Sequence, residues 1–259
     1  MNCNSKLPEY SNEPSLRDHS KTPMYQPSSN MINEARLASL DSVLAPLSYA
    51  EPFYWPSTDW HSAAKRAMDI FISVLLLAVF AVAMLLIAIA IRLETPGPVL
   101  FRQRRIGLYN VGFEMWKFRT MHHRAPEGGR LMQSTRHDPR ITRVGAFLRQ
   151  TSLDELPQLF NVLRGQMSIV GPRPHAPGTC AGGKPFELVT PHYPARHRVR
   201  PGMTGLAQVR GWRGETDTEA KLLRRVEADL EYIERWSLGL DLVIIARTAV
   251  SVLAMRNAY

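Results

Sequence analysis

The sequence has 259 residues, of which 45% are hydrophobic, enough for one large domain or for one domain with appendages. Its formal net charge of +9 is uneven, because the residues before Lys65 carry a net charge of −3 and the rest carry +12. This excess favours an anionic partner, which can be membrane lipid, a phosphorylated substrate or nucleic acid. The histidines and cysteines show no metal-ligand spacing, which excludes the zinc-binding classes.

Residues 1–61 have the composition of a polar tail. They are rich in Ser, Asn and Pro, as in "MYQPSSNMINEA", and show no sustained hydrophobic periodicity. These features predict disorder. The segment also lacks the charged start, apolar core and small-residue cleavage site of a signal peptide. We therefore expect the polar parts of the chain to lie in the cytosol.

An apolar run of 22 residues, Ile70–Ile91, contains no charged side chain. As a helix it would be about 33 Å long, which is enough to cross the hydrocarbon core of a bilayer. The run is apolar on every face, whereas the core helix of a soluble protein usually has one polar side. We therefore predict that residues 62–95 form a membrane-inserted helix.

Basic residues flank both ends of this predicted helix. They are Lys65 and Arg66 before it, and Arg92, Arg102, Arg104 and Arg105 after it. Positive charge prefers the cytoplasmic side of a membrane. A spanning helix would have to send one of the two clusters across, whereas a re-entrant helix returns to the side from which it entered. The charge pattern favours the re-entrant form.

Residues 96–259 predict a domain of mixed helices and strands, of the α/β (α+β) class. The segments "GPVLFRQRRIG" and "FEMWKFRTM" have strand-like stretches, and "LYNVG" between them predicts a hairpin connection. In the second segment Lys117 and Arg119 are two residues apart, so a strand would present both on one face.

Three helices are predicted in this domain. The first covers "SLDELPQLFNVLRG" and ends at Gly165, a residue type common just after helices. The second runs from Asp217 to Ile233, with Leu222 and Val226 on its apolar stripe and Asp229 outside it. The third is the C-terminal "LDLVIIARTAVSVLAMR", whose apolar composition suits an amphipathic helix lying against lipid at the membrane interface.

The segment "TSLDELPQLF" carries two adjacent carboxylates, Asp154 and Glu155. Ser152 and Glu155 have the spacing of a capping box. That start, however, would place Pro157 fifth in the helix, where its missing N–H removes a needed hydrogen bond. A start with Asp154 as the N-cap puts Pro157 third, where no donor is required. Asp154 would then lie at the positive end of the helix dipole, either as a plain cap or in a site that attracts phosphate.

Arginines recur around this segment beside glycine and proline. They are Arg149, Arg173 within "GPRP", and Arg200, Arg210 and Arg213 within "VRPGMTGLAQVRGWRGETDT". Proline restricts the backbone that carries a guanidinium, and glycine lets backbone and guanidinium approach an anion closely. Each of these arginines alone is typical of a solvated surface charge, but their repeated pairing with Gly and Pro around Asp154 and Glu155 favours a phosphate-binding site.

Several ordered blocks of the sequence resemble one known family. They are "KRAMDIF", "TPGPVLFRQRRIG", "KFRTM", "TSLDELPQLFNVLRGQMSIVGPRPHA", "RPGMTGLAQVRGWRGETDT" and "DLEYIERWSLGLDL". Together they are similar to the bacterial sugar transferases, the monotopic polyprenyl-phosphate phosphoglycosyltransferases, over residues 62–253. The resemblance implies a two-step phosphoryl transfer at the cytoplasmic face of the bacterial inner membrane.

In this resemblance Asp154 matches the nucleophile, which attacks the β-phosphate of a UDP-sugar and releases UMP. The phosphate of undecaprenyl phosphate then accepts the sugar phosphate from the aspartate. Glu155 matches the partner carboxylate, a Mg²⁺ ligand or proton acceptor. Arg149 and Arg173 match phosphate-binding positions, and Lys117 and Arg119 fall within the "KFRT" block of the same site.

The blocks "GPRPHA" and "GWRGETDT" resemble the members that transfer a hexose 1-phosphate to start an exopolysaccharide repeat. We expect glucose 1-phosphate, with galactose or an N-acetylated sugar as alternatives. The family's re-entrant helix usually breaks at Ser-Pro, but Ala81-Val82 stands there in this chain, so a spanning helix stays open.

A second class of function is a non-enzymatic membrane scaffold that binds anionic lipid. Nucleic-acid binding is not expected, since no recognised DNA- or RNA-binding motif is present. A homo-oligomer is possible.

Overall fold

The computed structural model describes residues 59–122 and 138–254. The predicted tail, residues 1–61, lies almost wholly outside the described residues. The described part combines one long helix with a domain of mixed helices and strands, as the sequence predicted.

Within the described residues the chain forms seven α-helices and six strands. The helices are α1 (Asp59–Glu94), α2 (Arg143–Thr151), α3 (Gln158–Leu163), α4 (Phe186–Val189), α5 (Leu206–Val209), α6 (Glu219–Glu234) and α7 (Leu238–Leu253). The strands are β1 (Leu100–Ile106), β2 (Gly112–Phe118), β3 (Ser168–Val170), β4 (Cys180–Ala181), β5 (Lys184–Pro185) and β6 (Gly202–Thr204). Short 3₁₀ turns cover Leu108–Asn110, Leu153–Glu155 and Tyr193–Arg198.

The predicted hairpin is confirmed. β1 and β2 pair antiparallel from Leu100 opposite Phe118 to Ile106 opposite Gly112. β4 and β5 form a second, shorter antiparallel pair, whereas β3 and β6 are parallel. The approach at β6 is close enough to require glycine, because a Cβ on Gly202 would lie 2.1 Å from the backbone nitrogen of Gly171.

The apolar run is one continuous helix, α1, which passes through Ala81-Val82 without a break. By length and composition it is able to cross a membrane. Large apolar side chains stand on its surface, with Phe71, Val79 and Val82 each at least 65% exposed. Such a surface is stable only when something apolar covers it, and lipid can do so.

The beginning of α1 is attached to the mixed domain through buried polar groups. The Asp69 carboxylate accepts hydrogen bonds from Ser168 Oγ and Ile169 N, each at 3.0 Å. One turn earlier, Lys65 Nζ lies 2.9 Å from the buried carboxylate of Asp241 at the start of α7. These contacts fix the entry of the helix against β3 and α7.

The end of α1 is attached to the same domain. The Arg119 guanidinium donates hydrogen bonds to the carbonyls of Thr95 (2.7 Å) and Ile91 (3.3 Å), so that it caps the helix C-terminus. The Glu94 carboxylate accepts from the backbone N–H of Arg143 (2.7 Å) and of Val144 at the start of α2. Both ends of the apolar helix therefore bind one folded unit.

The segment after α2 differs from the predicted single helix. The chain makes a 3₁₀ turn over Leu153–Glu155, and α3 begins only at Gln158 because Pro157 precedes it as the cap residue. The prediction that Asp154 is the N-cap is therefore wrong. Ser152 precedes the turn but makes no side-chain capping bond, so the capping box is absent as well. The predicted end is confirmed, with Gly165 at φ +77° just beyond α3.

The two other predicted helices form as α6 and α7. Asp229, however, is 2% exposed, so its predicted place outside the buried face of α6 is wrong. In α7 Ile244 is buried, whereas Leu242, Val243 and Val250 are exposed. This two-sided pattern is the one that the predicted interfacial helix requires.

Candidate active site

The two adjacent carboxylates lie in a turn that follows an abrupt change of chain direction. Ser152 ends α2 in the left-handed conformation, at φ 60°, and the 3₁₀ turn follows directly. The turn buries both carboxylates to a similar degree, with the Asp154 side chain 10% and the Glu155 side chain 13% exposed. A non-glycine residue at positive φ is uncommon and often marks a functional position.

Lys117 joins the two carboxylates from β2. Its Nζ lies 2.9 Å from Glu155 Oε1 and 3.6 Å from Asp154 Oδ2. Oxygen atoms of both side chains thus converge on one cationic point, as expected for a site that also attracts anions.

Arg173 contacts the Glu155 carboxylate from the loop after β3. Its Nη2 lies 2.5 Å from Glu155 Oε1 and its Nη1 lies 3.3 Å from Oε2, which is a two-point contact. Pro172 and Pro174 flank it, so the backbone that carries this guanidinium has little freedom. Such a fork is suited to phosphate as well as to carboxylate.

Two further predicted arginines lie around the turn. Arg149 Nε donates a hydrogen bond to Thr120 Oγ1 at 2.9 Å, and its charge acts on the Asp154 carboxyl. Arg213 Nη2 donates to Ser152 Oγ at 2.8 Å, and its charge acts on Glu155. The structure thus brings four cationic side chains together around two carboxylates.

The two carboxyl groups have opposite electrostatic environments. Burial raises the pKa of Asp154, and the neighbouring Glu155 charge raises it further, against the opposing charge of Lys117. Burial also acts to raise the pKa of Glu155, but the charges of Arg173 and Lys117 outweigh it and hold that pKa well below the ordinary range. Glu155 therefore remains ionised, and Asp154 is the more basic member of the pair.

Three predicted site residues bind elsewhere. Arg119 caps α1, as described above. Arg200, on the surface, donates from Nε to the Gly165 carbonyl at 3.0 Å. Arg210 forms a two-point pair with Glu231 on α6. None of these three is brought to the carboxylates.

Four buried polar residues behind the site did not emerge from the sequence: His175, Arg196, Arg225 and Asp229. Each is at most 6% exposed. Arg225 and Asp229 lie one turn apart beside Leu222 and Val226 on the buried face of α6, and such a charged pair on an apolar face was the available signal.

The residues present fit a magnesium ion. Mg²⁺ in proteins typically takes one or two carboxylates and completes its shell with water and substrate phosphate oxygens. Oxygens of Asp154 and Glu155 both lie around the ammonium group of Lys117, so the two carboxylates face one cation position, and the guanidinium of Arg173 contacts Glu155 beside them. Over residues 59–122 and 138–254 no group of three His, Cys, Asp or Glu side chains could hold a metal, so the other ligands would have to come from phosphate and water.

The arrangement is suited to reaction at phosphorus. A carboxylate is a competent nucleophile when the charge of the phosphate is neutralised. Asp154 supplies a buried and relatively basic carboxylate, and Lys117, Arg149, Arg173 and Arg213 supply positive charge around it.

The sequence profile of the family described as "Bacterial sugar transferase" matches residues 60–255. An undecaprenyl-phosphate glucose phosphotransferase of Komagataeibacter xylinus is 50% identical over 204 residues, which is 79% of this chain and 38% of that protein. A UDP-glucose:undecaprenyl-phosphate glucose-1-phosphate transferase of Caulobacter vibrioides is 52% identical over 195 residues, covering 75% of this chain and 72% of the relative.

An exopolysaccharide production protein of Rhizobium leguminosarum is 50% identical over 195 residues, which is 75% of this chain and 98% of the relative. The matched segment therefore spans almost the whole of one relative, but less than half the length of the Komagataeibacter protein.

Proposed function

Because the chain belongs to the bacterial sugar transferase family, we propose that it transfers glucose 1-phosphate from UDP-glucose to undecaprenyl phosphate. Relatives at about 50% identity carry names for this reaction, and another is named for exopolysaccharide production. The transfer would start the repeat of an exopolysaccharide. The observation that carries this proposal is the buried, basic carboxylate of Asp154 within a ring of cationic side chains.

In the first step Asp154 attacks the β-phosphorus of the UDP-sugar. A bond forms between a carboxylate oxygen and phosphorus, the bond from phosphorus to the bridging oxygen breaks, and UMP leaves with the electron pair. The sugar phosphate is then esterified to the aspartate. In the second step a phosphate oxygen of undecaprenyl phosphate attacks the same phosphorus, and Asp154 leaves as a free carboxylate.

The cationic residues make the attack possible. Two anions repel, so the charge of the diphosphate must be neutralised before the carboxylate can reach phosphorus. Arg173 and Lys117 are held within reach by Glu155, and both can turn part of their hydrogen-bonding capacity towards phosphate oxygens. Arg149 and Arg213 add positive charge nearby, where they bind Thr120 and Ser152.

Mg²⁺, held by Glu155 with Asp154 beside it, would neutralise phosphate charge and stabilise the departing UMP. Glu155 is suited to this role because its low pKa keeps it ionised at neutral pH. We expect chelation to abolish transfer and added Mg²⁺ to restore it.

We further propose that α1 is re-entrant and that the mixed domain lies on the cytoplasmic face of the bacterial inner membrane. Asp69 near one end of the apolar run and Glu94 at the other both bind this domain through polar contacts. A helix that crossed the bilayer would place these ends in different compartments. The exposed apolar side chains of α7 would then rest in the interface, close to the acceptor phosphate.

The test uses membranes that contain the chain or its Asp154→Asn variant. With UDP-glucose the wild type should release UMP and label the lipid fraction, and the variant should lose at least about 10³-fold in rate. Asp217→Asn, at an exposed aspartate before α6, is the control and should be unaffected. Mass spectrometry of wild-type chain trapped with donor alone should find a hexose phosphate on Asp154.

Turnover by the Asp154→Asn variant at the wild-type rate would refute the nucleophile. A panel of UDP-sugars in the same assay decides the donor, because transfer from UDP-galactose or an N-acetylated donor in preference to UDP-glucose would replace the proposed sugar.

A further inference from the structure

A connected network of buried charge lies directly behind the arginines of the active site. It consists of His175, Arg196, Arg225 and Asp229. Burying charge is costly, and a buried ion pair is weak evidence for stability, because well-packed apolar residues often do as well. The contacts of this network therefore call for another explanation.

Arg196 links the network to Arg173. Its Nε and Nη2 lie 3.0 and 2.5 Å from Asp229 Oδ2, so the guanidinium is held in one orientation by α6. From that position Nη2 also donates a hydrogen bond to the Arg173 carbonyl at 2.8 Å. The backbone of Arg173 is thereby attached to a buried ion pair rather than to solvent.

The neighbouring carbonyls of the same loop are held as well. They accept hydrogen bonds from two strands: Pro172 from Gly202 N on β6 (2.9 Å), and Pro174 and His175 from Arg105 Nη1 (3.2 Å) and Ile106 N (3.1 Å) on β1. Every carbonyl from residue 172 to residue 175 is therefore fixed, and the guanidinium of Arg173 projects from an immobile base.

Arg225 performs the equivalent task for Arg213. Its Nη2 donates to the carbonyls of Trp212 (2.7 Å) and Gly214 (3.0 Å), the residues immediately before and after Arg213. Arg225 Nη2 therefore holds the backbone on both sides of Arg213. Gly214 has a φ of +94°, so this turn follows a path that glycine permits.

His175 connects the two halves. Its Nε2 lies 3.1 Å from Arg225 Nη1, and its Nδ1 contacts Arg196 Nη1. Burial and the two adjacent guanidinium groups hold the pKa of His175 well below its ordinary value, so the ring is neutral and adds no further positive charge.

We propose that Arg225 and the Arg196–Asp229 pair are positioning residues, which hold Arg213 and Arg173 in the geometry that binds the diphosphate of the sugar nucleotide. The inference rests on the proposed function. It assigns to the buried face of α6 a role in donor binding, although α6 itself places no side chain on the two carboxylates. Displacements of about 1 Å at such groups can cost about 10²-fold in rate.

The test is a double-mutant cycle with Arg225→Lys and Arg213→Ala. Lysine keeps the charge but cannot reach both carbonyls and His175 at once. We expect Arg225→Lys alone to raise the KM for UDP-glucose by about 10-fold or more, with a smaller change in kcat. In the Arg213→Ala background, Arg225→Lys should raise the KM for UDP-glucose by less than about 3-fold, because the guanidinium that Arg225 positions is absent.

Arg224→Lys is the matched control, since Arg224 is the exposed neighbour on α6 and pairs only with Glu227 among the contacts of the described chain. It should leave KM and kcat unchanged in both backgrounds. A second cycle, Arg196→Lys with Arg173→Ala, should show the same non-additivity. If Arg225→Lys raised the KM by the same factor with and without the Arg213 side chain, Arg225 would contribute to stability alone, and the proposal would be overturned.

Amide hydrogen exchange on the full chain in detergent provides a readout that does not depend on turnover. Arg225→Lys should speed exchange at the Trp212 and Ile106 amides, whose segments the network holds, whereas Arg224→Lys should not. Unchanged exchange would refute the positioning role. Failure of the wild type to release UMP from any UDP-sugar would instead refute the proposed function, and the exchange result would still decide whether Arg225 holds both loops.

Discussion

Asp154 and Glu155 are neighbours in sequence, but their surroundings separate their chemistry. Glu155 has Lys117 at 2.9 Å and Arg173 at 2.5 Å, whereas Lys117 lies 3.6 Å from the Asp154 carboxylate. A carboxylate with fewer cationic contacts keeps more of its basicity. This difference supports the proposed roles, in which Asp154 attacks phosphorus and Glu155 organises the surrounding charge.

The first prediction concerns the pH dependence of kcat/KM. Attack requires ionised Asp154, whose pKa is raised by burial, so the rate should rise with pH along an acid limb that lies above the ordinary aspartate range. Lys117→Met removes a charge that lowers the pKa of Asp154 and should move this limb to higher pH. Arg102→Met, which removes an exposed charge from the same hairpin, should leave the limb in place. A limb below the ordinary aspartate range would point to Glu155 as the nucleophile instead.

The second prediction concerns thermal stability at neutral pH. The raised pKa of Asp154 means that its ionisation disfavours the folded chain, and stability is lost as pH rises through that pKa. Asp154→Asn should therefore increase stability by about 1 kcal/mol, or about 2–4 °C in Tm. The pKa of Glu155 is lowered, so its charge stabilises the fold above its unfolded pKa, and Glu155→Gln should lower Tm. Equal Tm changes of the same sign would contradict this assignment.

Some site residues could be predicted from the sequence and others could not. Asp154, Glu155 and Arg173 lie within short motifs, and the structure brings them together with Lys117. Arg119 was grouped with Lys117 because alternate strand residues share a face. The strand, however, ends at Phe118, and the Arg119 guanidinium turns to the end of α1. That contact joins distant segments, so no local pattern reveals it.

At the scale of elements, the Asn161 side chain attaches β2 to α3, the helix that follows the 3₁₀ turn of the two carboxylates. Asn161 on α3 accepts a hydrogen bond from Trp116 N (3.0 Å) and donates one to the Glu114 carbonyl (2.7 Å). It thus binds the backbone of β2 as a neighbouring strand would. The spacing of Lys117 from the carboxylates depends on this attachment, because Lys117 follows directly along β2.

The third prediction follows from this attachment. Asn161 is completely buried, so Asn161→Ala leaves a backbone donor and an acceptor without partners and should cost about 2–4 kcal/mol of stability. The Asp side chain in Asn161→Asp can still accept the hydrogen bond from Trp116 N but cannot donate one to the Glu114 carbonyl. We therefore expect a smaller loss of stability than in Asn161→Ala, together with reduced UMP release. Chemical denaturation together with the transfer assay checks both results. Gln150→Ala, at an exposed position of α2, is the control and should change neither.

The 3₁₀ turn over Leu153–Glu155 shows where prediction from local sequence rules fails. Capping rules placed Asp154 at the start of one helix, since that start tolerates Pro157. The chain instead interrupts the helix, and the 3₁₀ turn buries Asp154. Lys117 and Arg213, which are distant in sequence, stabilise this turn through tertiary contacts. Helix propensity is a local property and does not include such contacts. The hairpin and α6 were predictable because their periodicity is long and regular.

At the scale of the molecule, the basic residues at the start of α1 have a structural role. Lys65 pairs with Asp241, and Arg66 donates to the carbonyls at the end of α3. The sequence predicted that these charges stay on one side of the membrane. In the structure Lys65 and Arg66 bind the mixed domain, and these contacts join segments more than 90 residues apart.

The fourth prediction tests the side of the membrane on which the two ends of α1 lie. Asp69 and Ile91 are about 33 Å apart along a helix of this length, yet both bind the same domain. Ala67→Cys and Leu93→Cys, one at each end, should therefore both react with a membrane-impermeant maleimide in inverted vesicles and not in spheroplasts. The unsubstituted chain measures the background from its native cysteines.

The same experiment separates the two topologies through the pattern of labelling. If α1 spanned the bilayer, one position would react only in inverted vesicles and the other only in spheroplasts. The polar contacts at one end would then have to break, leaving either Asp69 or Glu94 without its backbone partners. Each lost hydrogen bond to a charged carboxylate costs about 1.5–3 kcal/mol. Reaction from opposite faces would therefore contradict both the re-entrant helix and the attachment of its two ends to one domain.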